Sequence, residues 1–206
     1  EGKRFVPVEL YDVAGLVRGA HEGRGLGNKF LDDARRARVL IMVVDASGET
    51  DAEGNVGEGN PVEDVKMVEE EFDHWLAKII EKIMQKRGDI EEELVKGLSG
   101  LEIGEREIKK ALELSFPTRE NPLDFARALR KIAKPIIIAA NKADKAGADY
   151  WIKELKQTGY EVVPTSAELE LMLKKAAENG FIKYIPGEKD FEVLKDLNPK
   201  QEEALE

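Results

Sequence analysis

Two four-residue words stand behind apolar runs and carry the side chains with the most chemistry to offer: Asp12-Val13-Ala14-Gly15 and Asn141-Lys142-Ala143-Asp144. The second suits a guanine base. A carboxylate at Asp144 accepts from both N1–H and the N2 amine, a pairing only guanine offers. Asn141 can reach N7 and brace neighbouring loops, and the alkyl stem of Lys142 can cover the face of the ring. The first word suits a sensor of Mg²⁺ and a γ-phosphate. Asp12 meets the ion through a water, and Gly15, having no side chain, lets its backbone N–H approach the phosphate closely. Taken alone, Asp12 to Gly15 is also an ordinary Asp-Gly turn, and Asn141 to Asp144 is also a polar cap between a strand and a helix. Their order along the chain favours the nucleotide reading. Ser166-Ala167 follows a third apolar run (YEVVP) and would set a backbone N–H at guanine O6; Thr165 or Ser166 could equally just cap the helix that follows.

Other polar residues invite weaker readings. Asp45 closes the run VLIMVVDAS and looks like the metal-binding Asp at the end of a Walker-B strand. The Mg²⁺ role already belongs to Asp12, so Asp45 reads as a structural cap. Arg18, Arg24 and Lys29 lie on a glycine-rich loop and would meet phosphates or a partner, or simply solvent. His21 could position or polarise a water, or be a solvated bystander. His74, beside Trp75, reads as structural. No G-x-x-x-x-G-K-[ST] phosphate loop occurs in the 206 residues.

The elements that must position these residues follow from the apolar periodicity. Residues 5–13 read as a strand and 15–27 as a mobile basic loop. Residues 28–38 read as a short helix, with Phe30, Leu31 and Ala34 on one face and Arg35, Arg36 and Arg38 in its last turn. Residues 39–44 (VLIMVV) form a continuous run suited to a strand buried on both faces of a parallel sheet. An acidic, Gly-rich surface loop covers 48–60. From 61 to 133 Val65, Val68, Phe72, Trp75, Leu76, Ile79, Ile80 and Ile83 recur at helical spacing, and further helices are expected over 105–114 and 121–132, with Pro122 in the first turn. Residues 135–140 and 160–164 read as strands, 149–158 and 169–179 as helices. The remainder, with Pro186, Gly187 and Pro199, reads as a connector ending in an incomplete helix. Strand and helix in alternation predict an α/β fold with a parallel sheet and right-handed crossovers.

Composition narrows the function classes. The formal net charge is −10, which argues against non-specific binding to DNA or to an anionic membrane. No apolar run approaches the ~18 residues of a membrane span, and no signal pattern opens the chain. Cysteine is absent, so there is neither a disulfide framework nor a thiolate metal site. A cytoplasmic protein is expected. Charged residues reach 36%, a bias similar to that of thermophile surfaces.

Residues 8–47, VELYDVAGLVRGAHEGRGLGNKFLDDARRARVLIMVVDAS, resemble the Obg family of translation-factor GTPases, and within it the YchF-like branch. The GLVRGAHEGRGLGNKFL segment is the specific part. The resemblance implies a Ras-like P-loop GTPase fold, a parallel sheet flanked by helices, with its first strand missing and with an inserted α-helical domain. On that reading 1–60 and 134–186 form the GTPase domain, 61–133 the helical insert, and 187–206 a connector toward a C-terminal TGS domain. It implies GTP and GDP as ligands, Mg²⁺ as cofactor, K⁺ as a further candidate ion, and the ribosome or rRNA as partner, with no membrane or DNA partner. Leu16 stands where Ras-like GTPases keep a water-orienting Gln, so hydrolysis should be slow and lean on His21, an ion or a partner. Many YchF-like proteins carry Glu at the position of Asp144, a change linked to ATP use. Asp is one methylene shorter, fits guanine, and resembles the archaeal and fungal sub-branch.

The expected function is a GTP-binding switch with slow Mg-dependent hydrolysis, its loop 19–27 moving on turnover. The alternative is a nucleotide-gated or inactive adaptor whose helical insert docks a partner. A phospho-acceptor receiver domain gives no reason for the Asn141 to Asp144 word. With no first strand two strands would face a gap, so these residues alone are expected to be poorly stable and inactive.

Overall fold

The structure is a computed structural model that describes residues 7–13, 35–51, 54–118, 120–188 and 190–195. In chain order the elements are β1 (Leu40–Asp45), α1 (Pro61–Met84), α2 (Ile90–Leu98), α3 (Glu105–Leu114), α4 (Pro122–Ala133), β2 (Ile136–Asn141), α5 (Ala148–Gln157), β3 (Glu161–Pro164), α6 (Ala167–Glu178), β4 (Ile182–Lys183) and β5 (Glu192–Val193). Strands β1, β2 and β3 form one sheet in that order, and β4 pairs with β5 in another. Leu40 N–H donates to Pro135 O at 3.0 Å and Ala46 N–H to Asn141 O at 2.8 Å, so β1 and β2 run in the same direction. A parallel sheet with helices between its strands, and a run of four helices inserted between β1 and β2, is the architecture that the resemblance of residues 8–47 implies.

The chain divides into two compact units, 1–42 with 63–137 and 43–62 with 138–206. The first is built on helices. Asn60 Oδ1 accepts from Val62 N–H at 3.0 Å just ahead of α1, whose Phe72, Leu76, Ile80 and Ile83 are all buried at the three- and four-residue spacing of one helical face. Asp89 caps α2 by accepting from Glu92 N–H, and Pro122 opens α4 where a missing N–H costs nothing. Leu94, Leu98, Ile108, Phe125 and Leu129 complete this core. A buried ion pair lies beside it: Arg130 Nε meets Asp73 Oδ1 and its Nη2 meets Glu69 Oε1, each at 2.6 Å.

In the second unit Ala148, Ile152 and Leu155 of α5 are buried at four- and three-residue spacing, and Ser166 caps α6 by accepting from Leu169 N–H at 3.3 Å. Ile182 pairs with Val193 and Lys183 with Glu192, antiparallel. Among the described residues no helix is long and apolar enough to cross a membrane.

Several expectations need correction. Residues 7–13 are irregular rather than a strand. Val8 and Leu10 alternate as a strand would, yet they are 74% and 76% exposed; alternation alone does not hold a strand without a ladder partner and a covered face. Of the helix expected over 28–38 only 35–38 are described, and these form turns. Strand β1 is buried on one face only among the described residues: Met42 and Val44 are covered, while Ile41 and Val43 stay exposed. Finally, the stretch after α6 contains the β4–β5 pair, too short to carry a period; the incomplete helix expected near its end falls outside the described residues.

Candidate functional site

The second unit gathers three polar turns at strand ends. Strand β2 delivers Asn141, then bends sharply. Lys142 adopts φ 62°, a left-handed conformation that an L side chain holds only when its surroundings impose it. Those surroundings are visible on both sides of the residue. Lys145 N–H donates to Lys142 O at 3.0 Å, Ala143 N–H to Thr165 O at 3.0 Å, and Thr165 N–H to Ala140 O at 2.9 Å. The turn after β2 is thereby laced to the turn after β3. Asn141 adds the side-chain link, its Oδ1 accepting from Ala167 N–H at 3.0 Å.

Asp144 projects from the same turn with its side chain 31% exposed. The Ser166 hydroxyl donates to it, and this bond, helped by Lys145, holds the carboxyl below its usual range. The group is an anion with acceptor oxygens open to solvent, as a ligand with two adjacent N–H donors requires. Asn141, Lys142, Asp144, Ser166 and Ala167 therefore converge. Asp12 lies in the first unit on an exposed, irregular segment. Gly15, Leu16 and His21, with Arg18, Arg24 and Lys29, fall outside the described residues.

Asp45 holds more than a cap. Its Oδ1 accepts from Ser47 N–H at 2.9 Å and from the Ser47 hydroxyl at 2.6 Å. Its Oδ2 accepts from the Thr50 hydroxyl and, at 2.5 Å, from Lys142 Nζ. Burial pushes the carboxyl up, but the bonds from Lys142, Ser47 and Thr50 outweigh it and hold it at about 2. Lys142 Nζ also lies 3.3 Å from Thr50 Oγ1. The link between Asp45 and Lys142 was not readable from either residue alone. The available signal was that both close apolar strands, and neighbouring parallel strands bring their C-terminal ends together.

No group of three His, Asp or Glu side chains suited to a metal gathers among the described residues. Mg²⁺ held with phosphates keeps several waters and takes only one or two carboxylates, so an exposed Asp12 has the right chemistry for an outer partner of that ion.

The arrangement has known counterparts. Residues 139–206 match the model for the "Obg-like GTPase YGR210-like, G4 motif-containing domain". A protein of Methanocaldococcus jannaschii described as an uncharacterized GTP-binding protein is 51% identical over 94% of this chain and 53% of its own length. One of Schizosaccharomyces pombe with the same description is 34% identical over 95% of this chain and 52% of its own. The crystal structure of a GTP binding protein from Pyrococcus horikoshii superposes with a TM-score of 0.65 at 39% identity, covering 76% of this chain and 51% of that one. Over residues 139–206 the chain resembles the Obg-like GTPases, and along most of its length it is similar to these GTP-binding proteins. It spans about half the length of the relatives it matches. The superfamily match on 139–206 covers the Asn141, Lys142, Asp144, Ser166 and Ala167 cluster from end to end.

Proposed function

We propose that this chain carries the base-recognition part of a guanine-nucleotide switch. Asp144 reads guanine N1–H and the N2 amine through its two carboxylate oxygens, Lys142 lays its stem along the ring, and Ser166 fixes the Asp144 carboxylate. Asn141 joins the two turns through Ala167, so the O6-facing backbone and the Asp144 edge move together. The observation that carries this reading is Asp144 itself: a solvent-reachable anion, oriented by Ser166 and projecting from a turn bound to its neighbour by three backbone or side-chain bonds. Adenine presents an acceptor at N1 and no 2-amine, so the same carboxylate repels it.

Within this reading Asp12 contacts Mg²⁺ through water and Gly15 the γ-phosphate. Leu16 leaves water positioning to His21, an ion or a partner, so hydrolysis is slow. Asp rather than Glu at 144 supports the sub-branch of YchF-like proteins that keeps Asp, and the resemblance of residues 8–47 supports a ribosomal partner. Equilibrium binding to the intact polypeptide, any segments beyond these residues included, tests the base preference. GDP and GTP should bind at least about tenfold tighter than ADP and ATP, the lower end of what one bidentate base contact supplies. Equal affinity for ATP and GTP contradicts the reading.

A further inference from the structure

Lys142 is partly exposed yet fixed at its head. Its side chain is 43% accessible, while its ammonium sits 2.5 Å from Asp45 Oδ2, a carboxylate only 15% accessible. The backbone end is equally constrained, by the left-handed turn and its flanking hydrogen bonds. An alkyl stem held at both ends and partly open to solvent can serve as a preformed platform for a flat ring. An untethered lysine would sample many rotamers, and a ligand stacking on it would have to order them at its own expense.

We propose that Asp45 is a positioning residue for nucleotide affinity: through the Asp45–Lys142 ion pair it holds the lysine stem as the surface on which the purine ring stacks. The assignment rests on the guanine reading above. It also explains why Asp45 is fully engaged. Ser47 occupies Oδ1 twice and Thr50 shares Oδ2 with the lysine, so the carboxylate cannot swing away when a ligand arrives. The loop from Ser47 onward, closed by Gly59 N–H donating to Gly48 O at 2.8 Å, thus buttresses the residue that buttresses the clamp.

A double-mutant cycle on GDP affinity in the intact polypeptide tests this, with thermal unfolding of each variant recorded alongside. Asp45→Asn and Lys142→Met should each weaken GDP by about tenfold, and the double variant should be no weaker than Lys142→Met alone, because the two act through one contact. Lys142→Met keeps an apolar stem and loses only the tether; it changes an exposed side chain and serves as the reading should Asp45→Asn fail to fold. Ser47→Ala, which removes one bond to Asp45 and spares the ion pair, should weaken GDP less than Asp45→Asn does. Wild-type affinity in Asp45→Asn or in Lys142→Met overturns the proposal. So do losses that multiply in the double variant, or a Ser47→Ala loss as large as that of Asp45→Asn, since the loop rather than the lysine would then carry the effect. Failure of the guanine reading shows elsewhere: an Asp144→Asn variant that does not trade guanine for xanthine removes both claims. A normal trade beside an unaffected Asp45→Asn removes the positioning role alone.

Discussion

Gly48 shows how tightly single residues are fitted around the clamp. It adopts φ +72°, and a Cβ added there would lie 2.2 Å from Trp151 Nε1. Gly48→Ala should therefore destabilise the protein by roughly 1–3 kcal/mol, combining a left-handed backbone penalty with displacement of the indole. Chemical denaturation with Trp emission as the probe checks this; an unchanged midpoint contradicts it. The sequence placed Gly48 in an acidic surface loop and gave no hint of the indole, because that contact joins residues about a hundred positions apart. The guanine proposal for Asn141, Lys142 and Asp144 could be made from sequence for the opposite reason. Their chemistry is contained in one contiguous word behind an apolar run, so type and spacing alone state what they could bind. Asp45 was legible only as a cap, since its tie to Lys142 depends on which strands are neighbours.

At the scale of elements, helices were easier to read than strands. Of the apolar residues expected along α1, Val65, Phe72, Leu76, Ile80 and Ile83 are buried and Val68, Trp75 and Ile79 partly so, and Pro122 stands at the start of α4. Each of these signals is local. Residues 7–13 alternate convincingly and still form no strand, because a strand is completed by its neighbours. The junction of α1 with α4 makes a testable case. Asp73 is pushed up by burial, and Arg130 opposes that push. The Asp73 side chain is 5% accessible, so removing Arg130 leaves a buried carboxylate with the more distant Arg127, Nε at 3.9 Å, as its remaining ion-pair partner. Arg130→Met should cost about 3–5 kcal/mol, and Arg130→Met combined with Asp73→Leu should recover much of it, as expected when a buried ion pair is replaced by apolar groups. A loss below about 1 kcal/mol in the single variant, by urea denaturation, contradicts this account of the junction.

The first unit is held in part by contacts that no local pattern announces. Lys134, at the end of α4, is 1% exposed and donates to Arg35 O at 2.9 Å and Ala37 O at 2.5 Å, 99 and 97 residues away. Burial lowers its pKa from 10.5 to about 8, with Glu102 opposing and Arg38 assisting. The sign follows from proton counting. Between about pH 8 and 10.5 the unfolded chain holds the proton and the folded chain does not, so stability rises with pH across that window. Below it both states are protonated and the burial cost is present in full. The rise should approach about 3 kcal/mol and be missing in Lys134→Met; parallel pH profiles for the two proteins would contradict it. A lysine in a last helical turn reads from sequence as a solvated charge near the helix dipole, which is why its burial was not foreseen. The proposed reading of a purine edge by Asp144 is tested most directly by replacing Asp144 with Asn. An amide at 144 offers a donor where guanine needs an acceptor but matches xanthine O2. GDP should weaken by at least about tenfold while xanthosine diphosphate gains. GDP affinity unchanged, or xanthosine diphosphate no better bound than before, would contradict guanine recognition by this chain.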